Sequence, residues 1–115
     1  MPDASILSEL MTVIEARKTH PPAEPSYVVS LLQAGIPKIR RKIVEEAAEV
    51  FEAAAELGDA GQEHLVKEAA DLVFHLLVAL AARDSSWSDV EAELSRRFGI
   101  GGIAEKEARS RTSQA

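Results

Sequence analysis

An all-α fold is what this sequence predicts, and three features predict it. Apolar residues recur at three- and four-residue spacings over several long stretches. Alanine and leucine do most of the apolar filling, while aromatic residues make up only 4% of the chain. Prolines and glycines mark the ends of the periodic stretches rather than their interiors. With 115 residues, the chain suits one domain that buries roughly two thirds of its unfolded surface. The expected architecture is a helical bundle built on a long central helix hairpin.

The first periodic segment runs from about Ala4 to Lys18, with Ile6, Leu7, Leu10, Val13 and Ile14 on one face and Asp3 as its expected N-cap. Pro21, Pro22 and Pro25 make the following stretch a stiff connector. Ser26 is placed to cap a short helix over Tyr27 to Ala34, which Gly35 ends in a left-handed conformation. Pro37 suits the first turn of the next helix, which reaches about Leu57. Its apolar stripe is Val44, Ala48, Phe51 and Ala55, with Lys38, Lys42, Glu45, Glu46, Glu49 and Glu56 on the other side. Gly58 to Gly61 is expected to break the chain, and Gln62 to about Arg83 forms a second long helix. That helix is apolar nearly all round and belongs inside a bundle. Ser88 with Glu91 has capping-box spacing and opens a last helix through Val90, Leu94 and Phe98. The expected domain covers residues 1–98, followed by a polar tail over 99–115.

Composition excludes several classes of function. The chain has no cysteine, so neither a disulfide framework nor a thiolate zinc site is available, and a cytoplasmic setting is expected. No stretch approaches the roughly 18 apolar residues of a membrane span, and Met1-Pro2-Asp3 opens no export signal. A formal charge of -6 argues against nucleic-acid binding, which needs a basic surface. A small anion remains compatible through a local basic patch.

The carboxylates carry the chemical signal. A charged helix face is ordinarily just solvated, yet Glu46 and Glu49 are like charges three residues apart, and Lys42 precedes Glu46 in the less favourable order. In the otherwise apolar second long helix, His64, Glu68, Asp71 and His75 fall in one arc of roughly 60 degrees. Burial there would leave Glu68 and Asp71 partly desolvated and in need of a positive partner. Each long helix thus offers carboxylates three residues apart, and an antiparallel hairpin can point both sets at one place. Such an all-oxygen site suits magnesium or manganese. His75 is read as a hydrogen-bonded core histidine outside that shell.

The pattern Glu46-x-x-Glu49, a spacer, then Glu68-x-x-Asp71 resembles the signature of the all-alpha nucleoside triphosphate pyrophosphohydrolase superfamily. Ser26-Tyr27-x-x-x-Leu31-Leu32-x-x-Gly35, Lys38-Ile39-x-x-Lys42-Ile43-x-Glu45-Glu46-Ala47-x-Glu49 and Glu68-Ala69-Ala70-Asp71-Leu72-x-x-His75-Leu76-Leu77 narrow the resemblance. They are similar to the phosphoribosyl-ATP pyrophosphatase family of histidine biosynthesis, as is Gly102-Ile103-x-Glu105-Lys106-x-x-x-Arg109. Val44 departs from the glycine expected before the glutamate pair, and Phe74 from the common tyrosine.

The resemblance implies hydrolysis of phosphoribosyl-ATP to phosphoribosyl-AMP and pyrophosphate. It implies that Glu46, Glu49, Glu68 and Asp71 hold Mg2+, with Mn2+ as substitute. Glu45 would orient or deprotonate the attacking water, or serve as a further ligand. Lys38, Arg41 and Lys42 are candidate contacts to the substrate phosphates, with Arg40 less well placed; a solubilising basic turn is the competing reading. Ser26, Tyr27, Lys106 and Arg109 are weaker candidates. The resemblance also implies the single-function form, without a cysteine-ligated cyclohydrolase, and a homodimer that completes the bundle. Two other readings stand beside it: a house-cleaning pyrophosphohydrolase of deoxynucleotides, and a helical interaction module whose carboxylates form surface ion pairs.

Overall fold

A computed structural model describes residues 5–99, and among these the regular structure is entirely helical. The order is α1 (Ile6–Thr19), α2 (Tyr27–Ala34), α3 (Ile36–Ala54), α4 (Gly58–Ala82) and α5 (Trp87–Phe98). Asp3, the tail from residue 100 onward, and with it Lys106 and Arg109, lie outside the described residues. None of the described helices is long and apolar enough to cross a membrane.

Local chemistry sets the helix ends. Ser5, not the expected Asp3, caps α1, its hydroxyl accepting from the Ser8 N–H at 3.1 Å. Ser26 caps α2 as expected, accepting from the Val29 N–H at 3.3 Å. The same hydroxyl accepts from Arg17 Nη1 at 3.2 Å, which ties α1 to the start of α2. Gly35, at φ +88°, ends α2 and leads directly into α3, where Pro37 sits in the first turn. The capping box of α5 is Ser86 with Asp89 rather than Ser88 with Glu91. The Ser86 N–H donates to Asp89 Oδ2 at 2.9 Å, and the Asp89 N–H donates to Ser86 Oγ at 3.4 Å.

The α3–α4 reversal is tighter than the run of small residues suggests. α4 opens at Gly58 rather than Gln62, since the three-residue link 55–57 makes the reversal and Gly58 enters the helix at φ +82°. Gly61 is already helical and buried against the end of α3, where a Cβ would stand 2.5 Å from the Glu56 carbonyl oxygen.

α3 and α4 form an antiparallel hairpin, and α1 and α2 pack across its closed-core end. Ile14, Leu31, Ile39, Leu77 and Val78 are fully buried there, joined by Met11, Val28 and Ala81. Lys18 Nζ donates to the Ala81 carbonyl at 2.8 Å and pairs with Asp84 at 2.7 Å, which closes the C-terminal end of α4. α3 corrects one expectation directly. Its buried residues are Ile39, Glu46 and Ala53, whereas Val44 is 61% and Phe51 76% exposed, with Ala48 and Ala55 also outside. The predicted apolar stripe therefore faces away from this chain's own core, and the helix packs on α4 through the arc that carries a carboxylate.

Candidate metal centre

Glu46 sits on the inner arc of α3, one side of the hairpin, and is only 7% exposed. Across from it, α4 presents Glu68 and, one turn on, Asp71. One carboxylate oxygen from each of Glu46, Glu68 and Asp71 lies within 4.8 Å of the others. The burial is distributed differently from the sequence-based expectation: Glu46 is the buried member, Glu68 is half-buried and Asp71 is exposed. The reason is the phase of α3, which turns Glu46 inward with Ile39 and Ala53.

Two oxygens in this cluster, Glu46 Oε1 and Glu68 Oε1, are buried and have no hydrogen-bond partner. A buried acceptor without a donor is costly, and a buried charge more so. The strain registers in the acidities. Burial, then Glu68, Glu49 and Asp71, push the Glu46 carboxyl up to about 7 from an ordinary 4.5. Glu49 lies outside the three-oxygen group yet beside Glu68, which is the first cause of its own raised pKa. The hairpin thus gathers carboxylates whose mutual repulsion a cation would relieve. The donors are all oxygen, two of them buried and without a partner, and that set fits a hard divalent ion such as magnesium.

Lys42 borders the cluster. Its Nζ stands 2.9 Å from Glu45 Oε1 and 3.8 Å from Glu46 Oε2. The nearer contact raises the Lys42 pKa and holds the exposed Glu45 below the usual carboxylate range. Lys38 and Arg41 are exposed on the turns of α3 that precede the carboxylates.

His75 is buried, as expected of a core histidine. Its Nδ1 lies 2.8 Å from the Asp71 carbonyl oxygen, so Nδ1 donates, and Nε2 accepts from Tyr27 Oη at 2.8 Å. This chain fixes the α4 backbone at Asp71 and docks α2 beside the cluster, with the Tyr27 ring stacked on Phe74 at 6.0 Å. A connection that the sequence did not reveal runs on the other side. His64 Nδ1 lies 3.0 and 3.1 Å from the two Glu56 carboxylate oxygens, and His64 Nε2 lies 3.3 Å from Glu68 Oε2. The i to i+4 spacing of His64 and Glu68 was legible; the arrival of Glu56 depends on the tight turn at Gly58 and Gly61.

A family profile described as phosphoribosyl-ATP pyrophosphohydrolase matches residues 7–98. The chain belongs to that family. The match ends with α5 and includes every residue of the acidic cluster. Curated relatives agree along nearly their whole length. A phosphoribosyl-ATP pyrophosphatase of Rhodopirellula baltica is 43% identical over 95% of this chain and 91% of its own. That of Neisseria gonorrhoeae is 46% identical over 92% and 95%. That of Trichlorobacter lovleyi is 50% identical over 90% and 93%.

Proposed function

We infer that this chain hydrolyses phosphoribosyl-ATP to phosphoribosyl-AMP and pyrophosphate, a step of histidine biosynthesis. Its membership of the family and the names of its relatives support the reaction. The observation that carries the mechanism is the convergence of Glu46, Glu68 and Asp71 around two buried carboxylate oxygens that have no partner.

In this reading Glu46, Glu49, Glu68 and Asp71 hold Mg2+, which Mn2+ can replace. When bound, the ion neutralises triphosphate charge and polarises the phosphoryl group under attack. The remaining work belongs to side chains. Lys38, Arg41 and Lys42 receive the phosphates as they approach the acidic cluster. Glu45 is held ionised by Lys42 at 2.9 Å, so in the free enzyme it is a weak proton acceptor and suits orienting a water. A phosphate that engages the Lys42 ammonium frees Glu45 to accept a proton from that water. Residues 1–98 form the catalytic domain and 99–115 a tail, in a cytoplasmic protein. The outward apolar face of α3 supports a homodimer, because Val44 and Phe51 would otherwise stay in water.

The test is pyrophosphate release from phosphoribosyl-ATP with Mg2+ and again with chelator, beside a panel of deoxynucleoside triphosphates. Turnover of phosphoribosyl-ATP that stops on chelation is expected, and Glu49→Gln should abolish it without altering the helical signal. Preference for a deoxynucleotide would overturn the substrate, and an active Glu49→Gln protein would overturn the metal set.

A further inference from the structure

Glu56 and His64, the second of which contacts Glu68, are outside the set of residues assigned so far. His64 projects from the second turn of α4, one turn before Glu68, while Glu56 belongs to the short link between α3 and α4. Both ring nitrogens therefore face carboxylates, Nδ1 toward Glu56 at 3.0 Å and Nε2 toward Glu68 at 3.3 Å. Nδ1 is within hydrogen-bonding reach of Glu56, and Nε2 makes a longer polar contact with Glu68 Oε2. Glu56 braces the ring from its Nδ1 side, which holds Nε2 against Glu68. Glu68 has two oxygens with different fates: Oε2 is engaged by His64, and Oε1 is buried without a partner. Holding the first fixes where the second points.

We propose that His64, braced by Glu56, is a positioning residue that clamps Glu68 with its partnerless oxygen aimed into the cluster, preorganising it for a divalent cation. The proposal rests on the metal reading above. Outer partners that orient a metal-binding carboxylate are commonly worth roughly 10- to 100-fold in metal affinity. The direction is diagnostic. If His64 acted only as a cation beside the site, removing it would reduce repulsion and tighten metal binding; a clamp predicts the reverse.

The probe is Mn2+ alone, titrated calorimetrically into the full-length protein without nucleotide. His64→Ala should weaken binding by roughly 10- to 100-fold. His64→Gln, which keeps an N–H donor near the position of Nε2, should restore most of the loss, a rescue that a merely structural role would not give. Glu56→Gln leaves every residue of the cluster in place and should weaken binding in the same direction as His64→Ala. Binding by His64→Ala as tight as wild type or tighter would overturn the clamp, as would His64→Gln falling as low as His64→Ala. Should His64→Ala fail to fold, the Gln variant and Glu56→Gln decide: a weakened Glu56→Gln beside a near-normal His64→Gln supports the clamp, and any other combination overturns it. Wild-type protein that takes up no Mn2+ would bring down the metal reading and the clamp together, a result distinct from tight wild-type binding that the variants leave unchanged.

Discussion

Glu46 is buried on the inner arc of α3 among other acids, and that placement makes the metal-free protein sensitive to pH. Its carboxyl, pushed up to about 7 from 4.5, keeps a proton in the folded chain that the unfolded chain has already released. Over that interval the folded state binds more protons than the unfolded state. The stability this confers is fully present below about pH 4.5 and is lost as pH rises through about 7. The neighbouring Glu49, shifted the same way, adds in the same direction. Chelator-treated protein should therefore melt at lower temperature at pH 8 than at pH 5. Glu46→Gln should flatten most of that decline and melt above wild type at pH 8, while losing metal-dependent turnover. Scanning calorimetry across the pH series checks both parts. A wild-type protein that is more stable at pH 8 would show that the carboxylates are not in repulsive contact.

At the scale of the element, α3 carries apolar residues on two arcs, and only one of them meets this chain. Ile39, Glu46 and Ala53 face α4, while Val44, Ala48, Phe51 and Ala55 lie roughly 170 degrees round the helix. Phe51→Glu should leave the monomer's core intact, since the side chain is 76% exposed, yet convert a dimer to a monomer in sedimentation velocity at micromolar concentration. Wild-type protein that sediments as a monomer would overturn the proposed dimer, and a variant that sediments like a dimeric wild type would overturn this face as its contact. The two arcs also explain what could be read from the residues alone. Helix existence was legible because periodicity and the breakers at Pro21, Gly35 and Gly58 act locally. Phase was not: Val44 to Ala55 forms the more continuous apolar row, and the residues alone do not say which of two rows the helix turns toward its own core. The α5 cap failed for a similar reason, since Ser86 and Ser88 both offer a hydroxyl ahead of an acid, and the turn after Arg83 decides between them.

At the scale of the molecule, the acidic pairs of the two long helices were legible as converging because three-residue spacing on an antiparallel hairpin leaves few alternatives. Which carboxylate goes under was not legible, since it follows from the phase of α3, and the link from Glu56 through His64 depends on the short reversal that ends at Gly58. The fully buried side chains gather at the end of the hairpin where α1 and α2 pack, and the Gly58 end has little beyond Ala53 and Gly61 beneath it. Cooperative protection should grade along α4 accordingly. Amide hydrogens near Leu77 to Ala81 should exchange with deuterium only on global opening, whereas those from Gln62 to Val66 exchange through cheaper local fraying. Exchange mass spectrometry on peptides from each end would show the gradient, and uniform protection along α4 would contradict it. Because Glu68 stands between the two regimes, a cation held there would act as a rivet partway along the helix, slowing exchange on its loosely seated side while leaving the already slow end nearly untouched.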